Sequence, residues 1–174
     1  GKDLPSDSSQ NNKYTRAATI LKGWLQDDIL IRDQRPAFYL FQHRFVYRGV
    51  TKKRWGLTAR VRLNEWSAGN IRPHEAISEE HKSDRLHLLR ACQVNLNPIL
   101  AILRHQKNGL NSLLSRMAIG DPFLSVEDNY GVLHNMWIVS DEGDIAEVRH
   151  FCTDKTLYIA DGHHRYETAL IYQK

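Results

Sequence analysis

A compact apolar run, Thr156-Leu157-Tyr158-Ile159-Ala160, meets Asp161-Gly162 and then a stretch from Tyr166 in which Ala169 and Leu170 return at helical steps. No other feature constrains the fold as much. A strand that passes through a tight Asp-Gly turn into a helix must be hydrogen-bonded in a sheet, and the helix start then lies at that sheet's edge. The first N–H groups of such a helix lack intrahelical acceptors, and the dipole there favours an anion. Gly162 permits a positive φ or a close backbone approach, His163 and His164 supply imidazole donors, and Arg165 adds a guanidinium suited to bidentate phosphate contact. Asp161 could hold a magnesium ion, orient one histidine or accept a substrate hydroxyl proton. The plainer alternative is that Asp161 only caps the helix and the histidines are half-buried surface residues.

Elsewhere the hydrophobic period sets the elements. Residues 1–13 are polar, rich in Ser, Asp and Asn, and are expected to form a flexible arm. Ala17, Ala18, Leu21, Trp24 and Leu25 then recur at three- and four-residue steps, which predicts a helix from Tyr14. The segments Ala37–Tyr47 and Arg54–Trp66 read as strands joined by a long turn over Arg48–Lys53. A loop follows around Pro73, then a helix opening near Ser78 and running to about Asn95, and the short run ILAIL (residues 99–103) reads as a buried strand. A helix over Gly109–Met117, a hairpin centred on Asn129-Tyr130-Gly131 and a helix over Asp141–Phe151 complete the series. Helices and strands are mixed without regular alternation, so residues 14–174 are expected to form a single α+β domain, a mixed sheet with flanking helices.

Charge and cysteine usage narrow the classes. Residues 1–62 carry 13 Lys and Arg against 5 Asp and Glu, whereas the remainder carries 11 against 15. Clustered cations of this kind suit a polyanion, and they also suit a solvated surface. No apolar run approaches the ~20 residues of a membrane-spanning helix. Cys92 and Cys152 have no CxxC spacing and read as core thiols, so a reducing cytoplasm is the expected compartment.

A second constellation is Arg72-Pro73-His74-Glu75 followed by Lys82, Asp84 and Arg85. Read from the residues alone, this is a loop followed by a solvent-facing helix that carries ordinary ion pairs. His74-Glu75 does not open a zinc-protease HExxH, since Ser78 stands in the second histidine's place, and neither a GxxxxGK nor a GxGxxG loop occurs. The hairpin region intersperses Arg44, Arg48, Lys52, Lys53, Arg54, Arg60 and Arg62 with Phe41, Phe45, Tyr47, Trp55 and Trp66. That mixture could stack bases and grip a strand backbone, although period-two alternation between a core face and a wet face generates it too.

The segment YIADGHHRYETAL, with IRPHE, Lys82-Ser83-Asp84-Arg85, Asn97-Pro98-Ile99 and Leu133-His134-Asn135-Met136-Trp137, resembles the bacterial and archaeal family catalogued as domain of unknown function 1015. The DGHHR element is similar to the phosphate-binding motif of the ParB and sulfiredoxin-like superfamily, which includes nucleotide-binding partition proteins, sulfiredoxins and free-serine kinases. The resemblance implies a nucleotide ligand, ATP, ADP or CTP with Mg2+. Gly162, His163, His164 and Arg165 would then cradle phosphates, with Arg72 or Arg85 steadying phosphate oxygens and His74 beside them, while Asp161, Glu75 or Asp84 binds a metal or serves as base. Kinase-like phosphotransfer or nucleotide hydrolysis is the expected chemistry, and a non-catalytic nucleotide-responsive or nucleic-acid-binding module is the alternative. Family members extend beyond both ends of this chain, so it is expected to be a piece of a longer protein. Ala76 and Ile77 stand where the family pattern has a Thr.

Overall fold

The structure, a computed structural model, describes residues 2–73, 82–104 and 109–174. The packing divides the chain into two compact units: one of Gly1–Asp33, Leu63–Leu103 and Thr156–Lys174, the other of Gln34–Arg62 and Arg104–Lys155. Helices and both antiparallel and mixed sheets are present, as the α+β class requires. No helix among the described residues is long and apolar enough to cross a membrane.

The first unit holds helix α1 (Lys13–Gln26), a 3-10 turn over Trp66–Ala68, the two-residue strand β3 (Ile71–Arg72), α2 (Lys82–Cys92), β4 (Leu100–Leu103), β7 (Leu157–Asp161) and α5 (His163–Gln173). Its sheet runs β3-β7-β4, with β3 parallel and β4 antiparallel to the central β7. Ile71, Ile159, Tyr166 and Leu170 form its core, so the strand and helix on either side of Gly162 bury into the same cluster. The polar opening carries ion pairs and hydrogen bonds to α1. Arg16 Nη1 donates to Asp7 at 2.6 Å, Lys13 pairs with Asp3 at 3.1 Å, and Asn12 and Thr15 form a reciprocal capping box on α1.

Three expectations shift. The loop expected around Pro73 contains β3, which is too short to show a period. Helix α2 ends at Cys92, not near Asn95, because Gln93 adopts φ 55°. Residues 100–103 form an exposed edge strand, not a buried one, with Leu100 and Ile102 each more than half accessible.

The second unit holds β1 (Phe38–Tyr47), β2 (Val50–Thr58), α3 (Gly109–Met117), β5 (Leu124–Glu127), β6 (Leu133–Val139) and α4 (Glu142–Cys152). All pairs in its sheet, ordered β2-β1-β6-β5, are antiparallel. The expected long turn is a tight one. Arg48 (φ 50°) and Gly49 (φ 73°) alone join β1 to β2, a two-residue loop whose positive φ values match the twist of the flanking strands. Pairing therefore starts at Tyr47–Val50, so four residues read as loop become strand. Leu40, Val139, Leu113, Leu114, Met117 and Val148 make the core between one sheet face and the helices α3 and α4.

On the other face, His43 of β1 meets His134 of β6 edge-on at 4.6 Å. Arg54 Nη2 donates to His43 Nδ1 at 2.8 Å, and His134 Nε2 donates to Asp128 at 2.9 Å. Burial, then the Arg54 charge, then His134 hold the His43 pKa below the ordinary imidazole value, with Asp128 opposing. The folded protein thus binds fewer protons than the unfolded chain at mildly acid pH, and stability falls as pH drops below about 6.5. Thermal melting is expected to show a lower Tm near pH 5.5 than near pH 7.5, with a shallower dependence in His43→Asn. An unchanged pH dependence in the variant would sink this assignment.

Candidate functional site

The strand-to-helix corner is built around Gly162. It takes φ 92° and ψ 30°, a backbone conformation that L side chains rarely adopt, at the junction of β7 and α5. A Cβ placed on it would lie 2.6 Å from Arg165 Nη2 and 2.8 Å from Arg165 Nε, so the guanidinium lies across the glycine's open face. Arg165 also forms an ion pair with Asp161 over the turn. Its Nε is a buried donor without a hydrogen-bond partner among the described residues. No side chain caps the start of α5, and the first helical bond runs from Tyr166 N to Gly162 O at 3.0 Å. An arginine fork, a glycine and a helix start without a side-chain cap therefore stand at one edge of the sheet.

The helix is fixed from behind. Tyr166 is 4% exposed; its hydroxyl donates to Asn64 O at 2.7 Å and accepts from Asn64 N at 3.0 Å. Its ring lies 4.6 Å from that of Trp66, whose Nε1 donates to Glu167 at 3.3 Å. Burial raises the Tyr166 pKa above the usual phenol value, which keeps the hydroxyl a donor. No motif in the sequence marks Asn64 or Trp66 as partners of a helix a hundred residues away; only folding brings them together.

The predicted donors do not all face the same way. His163 is 3% exposed and its Nε2 lies 3.0 Å from Ile159 O, so the imidazole turns inward against its own strand. The nitrogen facing a carbonyl must carry hydrogen, and that donor is already engaged. The His163 Nε2 hydrogen is thus spent within the corner itself, on a side chain that the first position of α5 turns toward the core. His164 is half-buried, and its carbonyl accepts from Thr168 Oγ1 at 2.6 Å.

The second constellation is only partly joined to the first. Arg72 ends β3 opposite Tyr158 in the parallel pair with β7, so both strands finish at the same edge, with Asp161 three residues further along. Its Nε donates to Gly69 O at 3.1 Å. Asp84 is tied to α1, accepting from Tyr14 Oη at 2.9 Å and pairing with Lys13 Nζ at 3.2 Å. The Tyr14 hydroxyl first, then Lys13, hold the Asp84 carboxyl below the ordinary carboxylate range, against burial. Asp84 is thus an anion clamped between helices. Arg85 is exposed, with its Nε 4.0 Å from Asp84. Among the described residues no hydrogen bond or ion pair links Arg72, Asp84 or Arg85 to the Asp161–Arg165 pair. His74 and Glu75 lie outside the described residues.

Among the described residues no group of three His, Cys, Asp or Glu side chains could hold a metal ion. Burial raises both the Cys92 and the Cys152 thiol, so neither is a thiolate at neutral pH.

These features define an α+β protein whose mixed sheet delivers its central strand, through a glycine hinge, into an arginine-bearing helix. The chain belongs to the family described as "Protein of unknown function (DUF1015)", whose model matches residues 1–174. No curated protein and no solved structure matches it.

Proposed function

We propose that the β7–α5 corner binds the phosphate groups of a nucleotide. The observation that carries this reading is the Arg165 guanidinium lying across the left-handed Gly162, with a buried Nε that has no acceptor among the described residues. A phosphate oxygen supplies the acceptor that Nε lacks, and the amides at the start of α5 add donors of the same polarity. Asp161 is the internal competitor. Its carboxylate is 70% exposed, and an exposed i,i+4 pair is worth only about 0.3–0.5 kcal/mol, so a multiply charged phosphate displaces it readily. The freed carboxylate then stands beside the phosphate, able to take a proton from an incoming hydroxyl or hold a magnesium ion.

The similarity of DGHHR to the ParB and sulfiredoxin-like motif supports ATP, ADP or CTP with Mg2+ as the ligand. Phosphotransfer or nucleotide hydrolysis is the reaction class, with Asp161 or Glu75 as its carboxylate, since Asp84 is held by Tyr14 and Lys13. His164, Arg165 and the backbone at Gly162 and His163 would hold phosphate, with Arg72 or Arg85 supplementing them from the neighbouring elements.

Calorimetric titration with ATP, ADP and CTP in the presence of magnesium is expected to give saturable binding by the longest natural form of the protein. Arg165→Ala should weaken it by about 10- to 100-fold, the range for a lost charge-assisted contact. Silence toward all three nucleotides overturns the reading, as does an Arg165→Ala variant that binds like the parent.

A further inference from the structure

We infer that the outer face of the four-stranded sheet binds single-stranded nucleic acid. Register decides which residues share that face. In β1, Phe38, Leu40 and Gln42 point toward the core side, so Tyr39, Phe41, His43, Phe45 and Tyr47 lie on the opposite side. Five rings thus follow one another along a single strand at about 6.6–6.8 Å intervals. The helices α3 and α4 pack on the other face through Leu113, Leu114, Met117 and Val148. Phe45 is half-buried and Tyr47 is 54% exposed.

Along β1, β2 and their flanking segments the charge is all of one sign. From Gln34 through Arg62 the chain holds eight Lys and Arg and no Asp or Glu. Lys52 stands opposite Phe45 and Arg54 opposite His43 on the edge strand β2, and the Arg48 guanidinium lies 5.3 Å from the Tyr47 ring centre. Arg54 is positioned without being neutralised. Its hydrogen-bond partner is His43 Nδ1, which as an acceptor belongs to an uncharged ring. The neighbouring carboxylate, Asp128, is occupied by His134 and by the backbone N–H groups of Tyr130 and Val132. A cleft of about 480 Å3 opens at this end between Phe45, Arg54, Tyr130 and Val132.

Rings in a row beside fixed, uncompensated cations match a polymer that alternates flat bases with phosphates. Stacking on a sheet face needs bases free of a complementary strand, so the polymer is single-stranded. Bases stack on Phe45 and Tyr47, and Lys52, Arg54 and Arg48 hold the phosphates. This surface belongs to the second unit, and its inference does not depend on the nucleotide reading of the β7–α5 corner.

The test is fluorescence anisotropy of the whole protein with labelled oligo-uridylate and oligo-thymidylate of about 12 nucleotides, within the span such surfaces cover. Binding is expected to weaken about tenfold or more when Phe45→Leu and Tyr47→Leu are combined, because leucine keeps the apolar bulk and removes the π-face. Phe45→Tyr with Tyr47→Phe should bind like the parent, which separates loss of rings from loss of fold. Lys52→Gln with Arg54→Gln should reduce the log–log salt slope by about 0.7 for each cation removed. The inference is overturned if no oligonucleotide binds at low salt, or if the paired leucine variant binds like the parent. Equal affinity for a duplex, for heparin or for phosphatidylserine vesicles also overturns it, since that marks a generic anion surface.

Discussion

Gly162→Val is expected to destabilise the protein by about 2–3 kcal/mol and to weaken nucleotide binding by more than tenfold. Two effects add. A non-glycine residue at φ 92° costs about 1–2 kcal/mol, and β-branching stiffens the side chain further. The new Cβ also falls 2.6 Å from Arg165 Nη2, so the guanidinium must leave the turn and its bond to Asp161. The guanidinium can swing away because it ends a flexible side chain; the backbone strain has no such relief. Urea unfolding reads the first effect and calorimetry the second. Full binding in a variant that is folded but destabilised would show that the fork's position across the glycine is irrelevant to the ligand. Gly49 supplies the contrast, since its φ of 73° is equally left-handed but its Cβ direction is open.

Leu40→Ala should be costlier to stability. Leu40, the third residue of β1, is fully buried between Leu57 of β2 and Trp137 of β6, over the α3 and α4 side chains. Truncating a leucine at such a site costs about 2–5 kcal/mol, since lost transfer energy and a residual cavity add. The ring stripe that alternates with Leu40 along β1 depends on the same register, so the oligonucleotide-binding face should melt with it. Near-ultraviolet dichroism reports the change, because Trp55 and Trp137 lie 5.8 Å apart against this core. A loss below 1 kcal/mol would mean that the sheet does not rely on this contact.

Much of the fold was legible because period and punctuation agree. Asp141 caps α4 through its side chain, Asp128 closes the β5–β6 turn that Asn129-Tyr130-Gly131 marks, and α3 begins and ends where its apolar steps do. The errors have particular causes. Arg48 is an unusual residue for a left-handed turn position, so the tight β1–β2 loop was hidden beside a run of polar strand residues. ILAIL has the composition of a buried strand, but burial depends on neighbours, and β4 has a partner on one side only. At the corner, the positive φ of Gly162 was readable from chemistry alone. The inward turn of His163 was not, because two adjacent histidines look alike until the helix phase is known. Nor could spacing show that Asp84 belongs to Tyr14 and Lys13, seventy residues before it.

The order of strands in the mixed sheet bears on how the chain acquires its shape during synthesis. β7 is the middle strand yet is made after both of its neighbours, with Arg104–Lys155 of the second unit lying between β4 and β7 in the chain. Until then Ile71 and the β4 backbone have no partner, and the loops that closure must span are long, which raises contact order and slows folding. The nascent chain therefore carries an open sheet edge until β7 is made, an interval in which chaperone engagement competes with self-association.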